Sequence, residues 1–153
     1  MIRVWRITKR KHLKTAFSGS GARRYGGRWN SPGSAIVYTS ETQSLAALEM
    51  LVHLEAAELF KDYVLIAVEI EKSLLQDIDR ARLPRNWRTD PSPASLRKIG
   101  DEWAFALSSV ALRVPSALVP DENNVLLNPS HPDFVNLAIG EPVSFRFDPR
   151  LGS

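Results

Sequence analysis

The 153-residue sequence contains no cysteine, which excludes disulfide bonds and thiolate ligands for a metal. A lack of cysteine also fits a reducing compartment. No hydrophobic run is long enough to span a bilayer, and no apolar segment typical of a secretory signal follows the N-terminus. No spacing of histidines with acidic residues matches a metal site. The sequence therefore predicts a cytoplasmic protein with no metal and no membrane segment.

Carboxylates are also absent before Glu41, which leaves the N-terminal part of the chain strongly basic although the net charge is only +3. Nine cationic residues precede Glu41, namely Arg3, Arg6, Lys9, Arg10, Lys11, Lys14, Arg23, Arg24 and Arg28. A basic segment favours phosphate-bearing partners. A solvated loop explains residues 9–14 better, because no recognised nucleic-acid motif accompanies them. We therefore expect no direct contact with nucleic acid.

The length is that of a single domain, which we place at residues 1–153. The hydropathy pattern predicts an α+β fold with short mixed strands and two main helices. Ile2, Val4 and Arg6 share one face of the first strand. A long, glycine-containing loop is expected at 8–34. The predicted strands cover 2–7, 35–39, 62–71, 111–119, 125–128 and 141–147.

Two longer helices are predicted between these strands. The first covers 40–60, because Ser40 and Gln43 match a capping box. The second follows a crossover at 83–93, opens at Ser92 and Pro93, and runs to 110. A last short helix is predicted at 130–139. Residues at helical spacing form the apolar face of the first helix, namely Leu45, Leu48, Val52, Ala56 and Leu59.

Arg28 lies in a glycine-flanked turn, in the sequence YGGRWN at residues 25–30. Glycines permit backbone conformations closed to other residues and allow a ligand to approach closely. A guanidinium in such a turn can bind phosphate or carboxylate through two parallel hydrogen bonds. The spacing alone slightly favours the alternative, an ordinary loop arginine paired with a carboxylate.

Glu49 lies at the edge of the apolar face of the first predicted helix, and His53 follows one turn later on the same side. A carboxylate in this position is costly unless it has a partner. One explanation is a structural ion pair with Arg28 or His53. The other is stabilisation of positive charge on a sugar in a transition state. A dinucleotide with a labile glycosidic bond would suit both Arg28 and Glu49.

Three further residues are candidates for a site. Tyr38 ends the second predicted strand, where a site residue would project, although strand tyrosines more often serve in packing. Trp29 could stack on a base or a nicotinamide, or could be buried beside the turn. Ser116 lies in no nucleophile-elbow motif, so nothing local marks it as a nucleophile.

Together these segments resemble the RES-domain family, the toxins of bacterial toxin–antitoxin systems, which is named after an arginine, a glutamate and a serine. The arginine matches Arg28 in GGRWNSPG, the glutamate matches Glu49 in LAALEMLVH, and the serine matches Ser116 in VPSA. The segments AFSG, VYTSE and NVLLNPSHP also fit. Each motif alone is weak, but the ordered set is specific and spans almost the whole chain.

The resemblance implies a fold similar to that of ADP-ribosyltransferase toxins, with a cleft that takes NAD. Members attack the bond between nicotinamide and ribose, so NAD would be a substrate and no cofactor is expected. Hydrolysis, phosphorolysis and transfer of ADP-ribose to a protein all remain open. The implied partner is an Xre-like helix-turn-helix antitoxin that blocks the cleft and itself contacts DNA.

The resemblance also implies roles for the candidate residues. Arg28 would hold the pyrophosphate or the adjoining ribose, and Glu49 would steady the ribosyl cation as nicotinamide leaves. Ser116 would orient Glu49 or the ribose without acting as a nucleophile. Tyr38 and Trp29 would pack on the nicotinamide side. The substrate-binding residues would be Tyr38, Trp29, Asn30 and His53.

Two other classes of function remain as alternatives. A basic nucleic-acid-binding module would show strong salt dependence and sensitivity to Lys9, Arg10 and Lys11. A catalytically silent partner-binding protein would release no nicotinamide from NAD.

Overall fold

The computed structural model describes residues 1–152, and within them it contains three α-helices and eight β-strands. The helices are α1 (Ser20–Tyr25), α2 (Gln43–Leu51) and α3 (Ala94–Phe105). The strands are β1 (Ile2–Lys9), β2 (Val37–Ser40), β3 (Tyr63–Ile70), β4 (Leu75–Asp77), β5 (Ala111–Pro115), β6 (Asn123–Leu127), β7 (Ala138–Ile139) and β8 (Val143–Phe145). Short 3-10 helices occupy Arg10–Thr15, Ala56–Phe60, Lys72–Leu74, Arg80–Arg82, Pro132–Asn136 and Pro149–Gly152. The predicted α+β class is confirmed.

The strands form one sheet in the order β4-β5-β6-β2-β1-β3-β7, and β8 also pairs with β3. β1 pairs with β3 along its whole length, from Ile2 opposite Ile70 to Lys9 opposite Tyr63. In contrast, β1 and β2 share a single paired position, Trp5 opposite Ser40. The backbones of β1 and β2 are therefore free to diverge in the middle of the sheet, and this divergence creates room for a cleft.

The two longer helices pack against different parts of the sheet. α3 buries Leu96, Ile99 and Trp103 in one cluster with residues of β5 and β6. α2 buries Ala46 in another cluster, together with Ile7 of β1 and Tyr63 of β3. The two helices therefore stabilise the two halves of the sheet on either side of the β1–β2 opening. Among residues 1–152, no helix has both the length and the apolar composition that crossing a membrane requires.

The strand predicted at 62–71 is confirmed as β3, whose side chains alternate between fully buried and half-buried positions. The strands predicted at 2–7, 35–39 and 125–128 are present with shifted ends, as β1, β2 and β6. The strand predicted at 111–119 ends earlier, at Pro115, because residues 116–119 turn away from the sheet. The strand predicted at 141–147 is shorter in the structure, where β8 covers Val143–Phe145. β4 and β7 were not predicted, since two- and three-residue strands carry too little periodicity.

The helix predicted at 40–60 is wrong at both ends. α2 begins at Gln43, and Thr42 caps it by accepting a hydrogen bond from the Leu45 backbone N–H at 3.0 Å. Ser40 instead ends β2, where pairing with β6 places its hydroxyl against Asn124. Residues beyond the end of α2 form a separate 3-10 helix over Ala56–Phe60.

The predicted apolar face of α2 is also partly wrong, because the helix is too short to carry it. Leu45 and Leu59 are buried, as expected, but Leu48 is exposed and Val52 is 53% exposed. The face that meets the core runs through Leu45 and Ala46. Val52, just after the helix, lines a cleft and does not enter the core.

The remaining corrections concern the loops and the later helices. The loop predicted at 8–34 contains a 3-10 helix and α1. α3 ends at Phe105 and not at 110, because Leu107 adopts a positive φ of 54° that stops the helix. The short helix predicted at 130–139 is a 3-10 turn followed by β7.

Gly100→Ala should destabilise the protein, because an added Cβ in α3 would lie 1.8 Å from the carbonyl oxygen of Trp29. Such overpacking costs roughly 1–3 kcal/mol or more, which exceeds the ~1 kcal/mol that alanine gains over glycine in a helix. Gly21→Ala in α1 is the matched control, since an added Cβ there meets nothing within 4 Å. Urea unfolding should show a lower midpoint for Gly100→Ala alone. Equal midpoints would mean that α3 does not pack this closely on the Trp29 backbone.

Candidate active site

A cleft of ≈ 830 Å³ opens where β1 and β2 diverge. Its volume lies within the range of pockets that enclose small-molecule ligands, about 300–1,000 Å³. Most of the walls come from six parts of the chain, namely β1, β2, α2 with the residues that follow it, the glycine turn at 26–30, the loop at 88–92, and the turn after β5. All the site residues predicted from sequence line this cleft except Ser116, which lies beneath its wall in contact with Glu49.

The glycine turn is fixed by a network between Asn30 and Tyr38. The Tyr38 hydroxyl donates to Asn30 Oδ1 at 2.6 Å and accepts from the Trp29 backbone N–H at 3.0 Å. The Asn30 amide donates to the carbonyls of Ala22, Ser31 and Ser34. Asn30 is fully buried, with 0% exposure. Its side chain therefore holds the turn and has no free group to offer a substrate, so direct binding through the Asn30 amide does not fit.

Gly27 is required at its position for a steric reason. A Cβ at residue 27 would lie 2.5 Å from the Tyr38 hydroxyl oxygen, so only glycine allows the turn to approach the tyrosine. Gly26 adopts a φ of 78°, in the left-handed region that glycine tolerates best. The two glycines thus allow the turn to pack closely on Tyr38, and this packing places Arg28 at the cleft.

Arg28 is held by backbone carbonyl groups of a segment that we call the strap, residues 87–92. Its Nη1 group donates to the carbonyls of Trp87 at 3.1 Å and Thr89 at 2.9 Å. The nearest carboxylate is that of Asp90, whose Oδ1 lies 4.0 Å from Nη2. The sequence favoured an ion pair between Arg28 and a carboxylate. The structure contains such a pair only at the 4.0 Å limit. Arg28 lines the cleft, and among residues 1–152 its Nε and Nη2 donate no hydrogen bond.

Glu49 is held by two neutral side chains. Its Oε2 accepts from the Asn124 amide at 2.5 Å, and its Oε1 lies 3.5 Å from the Ser116 hydroxyl. Ser40 in turn donates to Asn124 Oδ1 at 2.7 Å. Within residues 1–152, Glu49 forms no ion pair with Arg28 or His53, so the ion-pair explanation does not hold there. The carboxylate lines the cleft with its charge unneutralised by a neighbouring cation.

The hydrogen bonds of Ser116 fix the direction in which its hydroxyl donates. Its Oγ accepts from the backbone N–H groups of Leu118 and Val119, each at 3.1 Å. A serine hydroxyl has one proton and two lone pairs, so the proton is left for Glu49. Ser116 is buried, and within the described residues its hydroxyl has no hydrogen-bond partner that could deprotonate it other than Glu49. This is the geometry of a positioning residue.

The remaining predicted residues differ in how much surface they offer. Trp29 is 1% exposed and packs against α3, so stacking of its ring on nicotinamide does not fit. Tyr38 presents its ring to the cleft, and burial raises the pKa of its phenol, which keeps it neutral as a hydrogen-bonding group. His53 lies at the exposed rim of the cleft, just after α2.

Sequence reasoning missed Arg6, which lies on the floor of the cleft. Its Nε donates to the Ala16 carbonyl at 2.7 Å, and its Nη1 donates to the Tyr38 carbonyl at 3.0 Å. Within the described part of the chain no carboxylate pairs with it. Burial lowers its pKa to about 10, so it remains charged at neutral pH. The sequence did contain an indication that Arg6 is unusual, because Arg6 shares a strand face with the apolar Ile2 and Val4.

Asn124, Arg88 and Arg97 were also missed. Asn124 is the second residue of β6, and nothing in its local sequence indicates that it meets Glu49. Arg88 donates to the Ala117 carbonyl at 2.9 Å and so links the strap to the turn that carries Ser116. Arg97 of α3 donates to the Ser92 carbonyl. The contacts of Asn124 and Arg88 join segments that are distant in sequence, whereas Arg97 and Ser92 are five residues apart.

The cleft combines several cationic donors with two carboxylates, that of Glu49 and the exposed one of Asp90. Among residues 1–152, no group of three or more histidine and acidic side chains is placed to hold a metal ion. Arg6 and Arg28 suit an anionic ligand, because a guanidinium binds phosphate oxygens through charge-assisted hydrogen bonds. Glu49, held at a fixed position, suits a group that becomes positively charged during a reaction.

Tyr38→Phe should destabilise the protein by about 1–3 kcal/mol, because it leaves the buried Trp29 N–H and Asn30 Oδ1 without their partner. Tyr25→Phe is the control, since Tyr25 is 75% exposed. The free energy of unfolding of both variants can be measured by urea denaturation. Unchanged stability of Tyr38→Phe would show that this hydroxyl does not support the turn.

The sequence is similar to a family of known proteins along nearly its whole length. A sequence profile of the RES domain matches residues 3–148. A Yersinia enterocolitica protein named Toxin Res is 46% identical over 149 residues, which cover 97% of this chain and 98% of the relative. A Sphingobium protein named Prs ADP-ribosylating toxin is 36% identical over 152 residues, which cover 96% and 94% of the two chains.

A solved structure shares the fold. A chain from the crystal structure of the M. tuberculosis MbcT-MbcA toxin–antitoxin complex superposes with a TM-score of 0.76 and 21% sequence identity. The superposition covers 99% of this chain and 86% of that chain. Because the RES profile spans almost all of the sequence and the relatives match over nearly their full lengths, this protein belongs to the RES-domain family.

Proposed function

We propose that this protein is the toxin of a toxin–antitoxin system and that it cleaves the bond between nicotinamide and ribose in NAD. The observation that carries the proposal is Glu49, a carboxylate that has no cationic partner among residues 1–152, in a cleft that Arg28 and Arg6 also line. The names of the relatives support it, since one is called an ADP-ribosylating toxin and ADP-ribosylation uses NAD.

The arginines would bind the pyrophosphate of NAD. Arg6 is a half-buried cation whose hydrogen bonds, among residues 1–152, go to neutral carbonyl groups, so a phosphate would supply the missing opposite charge. Arg28 approaches the cleft from the glycine turn and keeps donors free of protein partners. Two cations from different segments would fix the dinucleotide and hold its ribose against Glu49.

Glu49 would act on the ribose. When the bond between nicotinamide and ribose breaks, its electron pair leaves with nicotinamide, and positive charge develops on the ribosyl carbon and ring oxygen. A carboxylate already oriented by Asn124 and Ser116 stabilises that charge without having to reorganise. An acceptor then bonds to the ribosyl carbon and gives up a proton. Ser116 would serve to position Glu49.

Three acceptors fit this chemistry. Water would give ADP-ribose, inorganic phosphate would give its phosphate ester, and a protein side chain would become ADP-ribosylated. The name of the Sphingobium relative favours a protein acceptor for that relative. An enzyme that only depletes NAD needs no protein acceptor. Product analysis of purified enzyme with NAD, with and without phosphate, distinguishes water from phosphate. Labelled NAD added to cell extract would reveal a modified protein.

We also propose that an antitoxin covers the cleft, as an Xre-like helix-turn-helix protein. A solved protein of the same fold comes from a toxin–antitoxin complex. Co-expression of such an antitoxin should restore growth, and the purified antitoxin should block nicotinamide release by this protein. In that arrangement the antitoxin, and not this chain, would contact DNA.

Glu49→Gln should bind NAD nearly as well as the wild type and turn it over about a hundredfold more slowly, which corresponds to roughly 3 kcal/mol of lost transition-state stabilisation. The amide keeps the size of the side chain but removes the charge that opposes the ribosyl cation. Single-turnover nicotinamide release at saturating NAD measures the rate, and a binding titration measures the affinity. The exposed Glu55→Gln is the control. A normal single-turnover rate with weakened binding would exclude this role for Glu49.

Neutralising Lys9, Arg10, Lys11 and Lys14 together should change NAD turnover much less than Arg28→Ala does. Two of these cations are already paired, Lys9 with Glu58 at 2.5 Å and Arg10 with Asp62 at 2.9 Å, which reduces the charge available to a nucleic acid. Nicotinamide release and growth inhibition are compared for both variants. Loss of toxicity in the quadruple variant with turnover intact would favour the nucleic-acid-binding alternative.

A further inference from the structure

The two sides of the Arg28 guanidinium are not equivalent. Nη1 carries two N–H groups, and both are directed to carbonyl oxygens, those of Trp87 and Thr89. Within the described residues, Nε and Nη2 form no hydrogen bond, and Nη2 has only the distant Asp90 carboxylate at 4.0 Å. A guanidinium offers a two-pronged edge through Nε and Nη2 as well as one through its two terminal nitrogens. Only the Nε–Nη2 edge is left for a ligand.

The strap that fixes Arg28 is itself anchored on both sides. Trp87 packs against the cluster formed by α3 and β5, and the Thr89 hydroxyl donates to the carbonyls of Asn86 and Pro91. Arg88 connects the strap to Ala117, and the Ser92 carbonyl accepts from Arg97. A carbonyl pair held in this way can define the direction of an arginine side chain.

Ser92 connects the strap to the backbone of Arg28. Its hydroxyl donates to the Arg28 carbonyl at 2.7 Å, and the side chain is buried. The strap therefore holds both ends of the same residue, the carbonyl through Ser92 and the guanidinium through Trp87 and Thr89. A ligand that met Arg28 in this state would not have to immobilise it, which lowers the entropic cost of binding.

We propose that the strap positions Arg28 so that its Nε–Nη2 edge binds one phosphate group of a nucleoside diphosphate, and that Asp90 competes with this phosphate for the same edge. This inference rests on the proposed function for the identity of the substrate. Ser92 is then a positioning residue, which acts on the substrate through Arg28. Asp90 is 91% exposed in its side chain and can swing away from the guanidinium when a phosphate arrives.

The two residues should have opposite effects on affinity. Loss of the Ser92 hydroxyl frees the Arg28 backbone and weakens binding, whereas loss of the Asp90 charge removes a competitor and strengthens it. The Asp90 effect is small, about two- to fivefold, because an exposed ion pair is worth about 0–1 kcal/mol and is screened by salt. Opposite signs from neighbouring residues separate this mechanism from general damage to the loop.

The test measures the dissociation constant for ADP-ribose by calorimetry, together with the KM for NAD and single-turnover nicotinamide release. Ser92→Ala should raise both the dissociation constant and KM roughly tenfold, with the single-turnover rate at saturation unchanged. Ser92→Thr, which retains the hydroxyl, should restore affinity, and the exposed Ser95→Ala in α3 is the matched control. Asp90→Asn should lower the dissociation constant, and the gain should shrink as salt is added.

A double-mutant cycle decides whether Ser92 acts through Arg28. In an Arg28→Ala background, Ser92→Ala should have little further effect on ADP-ribose binding, because the group that it positions is gone. Additive losses, an unchanged affinity in Ser92→Ala, or weaker binding in Asp90→Asn would each overturn the proposal. If Ser92→Ala does not fold, as judged by urea denaturation, the sign of the Asp90→Asn effect decides alone.

Failure of the proposed function gives a different result. A wild-type protein that binds ADP-ribose but releases no nicotinamide would refute NAD cleavage, while the effects of Ser92 and Asp90 on ADP-ribose binding would still test the strap. A wild-type protein that binds no ADP-ribose would overturn the inference about the strap as well.

Discussion

The opening between β1 and β2 is the constraint on which the rest of the site depends. These two strands lie next to each other in the middle of the sheet, yet they pair only at Trp5 and Ser40. Beyond that point their backbone groups need other partners, and Arg6 supplies one by donating to the Tyr38 carbonyl across the gap. A half-buried cation therefore links the two halves of the sheet, and it lines the cleft.

The cleft gains its chemistry from segments that the sheet brings together at this opening. Glu49 comes from α2, Asn124 from the start of β6, and Ser116 from the turn after β5. The two neutral partners orient the carboxylate and leave its negative charge in place. An arginine or lysine partner would neutralise that charge. On the opposite side, the strap orients Arg28 with carbonyl groups, which likewise leave the positive charge of the guanidinium in place. Both charged groups are thus fixed by neutral hydrogen-bonding partners and remain available to a ligand.

Several elements follow from local sequence, and others do not. The alternation of Val64, Ile66, Val68 and Ile70 identifies β3 correctly, because every second side chain is buried in a layered fold. The helix start at Ser40 was wrong, since Ser40 and Thr42 are both plausible caps and only pairing with β6 assigns Ser40 to the strand. Val52 was predicted to be buried but lines the cleft, because periodicity identifies an apolar side chain without saying whether protein or ligand covers it.

The sequence by itself determined the α+β class, the positions of the main strands and the three residues Arg28, Glu49 and Ser116 as candidates for a site. Motif order along the chain was sufficient for this, because the resemblance covers nearly all of the sequence. Only the tertiary structure decided that Arg6 and Asn124 belong to the same cleft, that Trp29 and Asn30 support the turn from within, and that Glu49 has no ion-pair partner among the described residues. The physical reason is that most of these facts depend on contacts between segments far apart in sequence, which the pairing of β1, β2 and β6 brings together. The contacts of Asn30 are local, with partners no more than eight residues away, but only the folded turn shows that its side chain is buried.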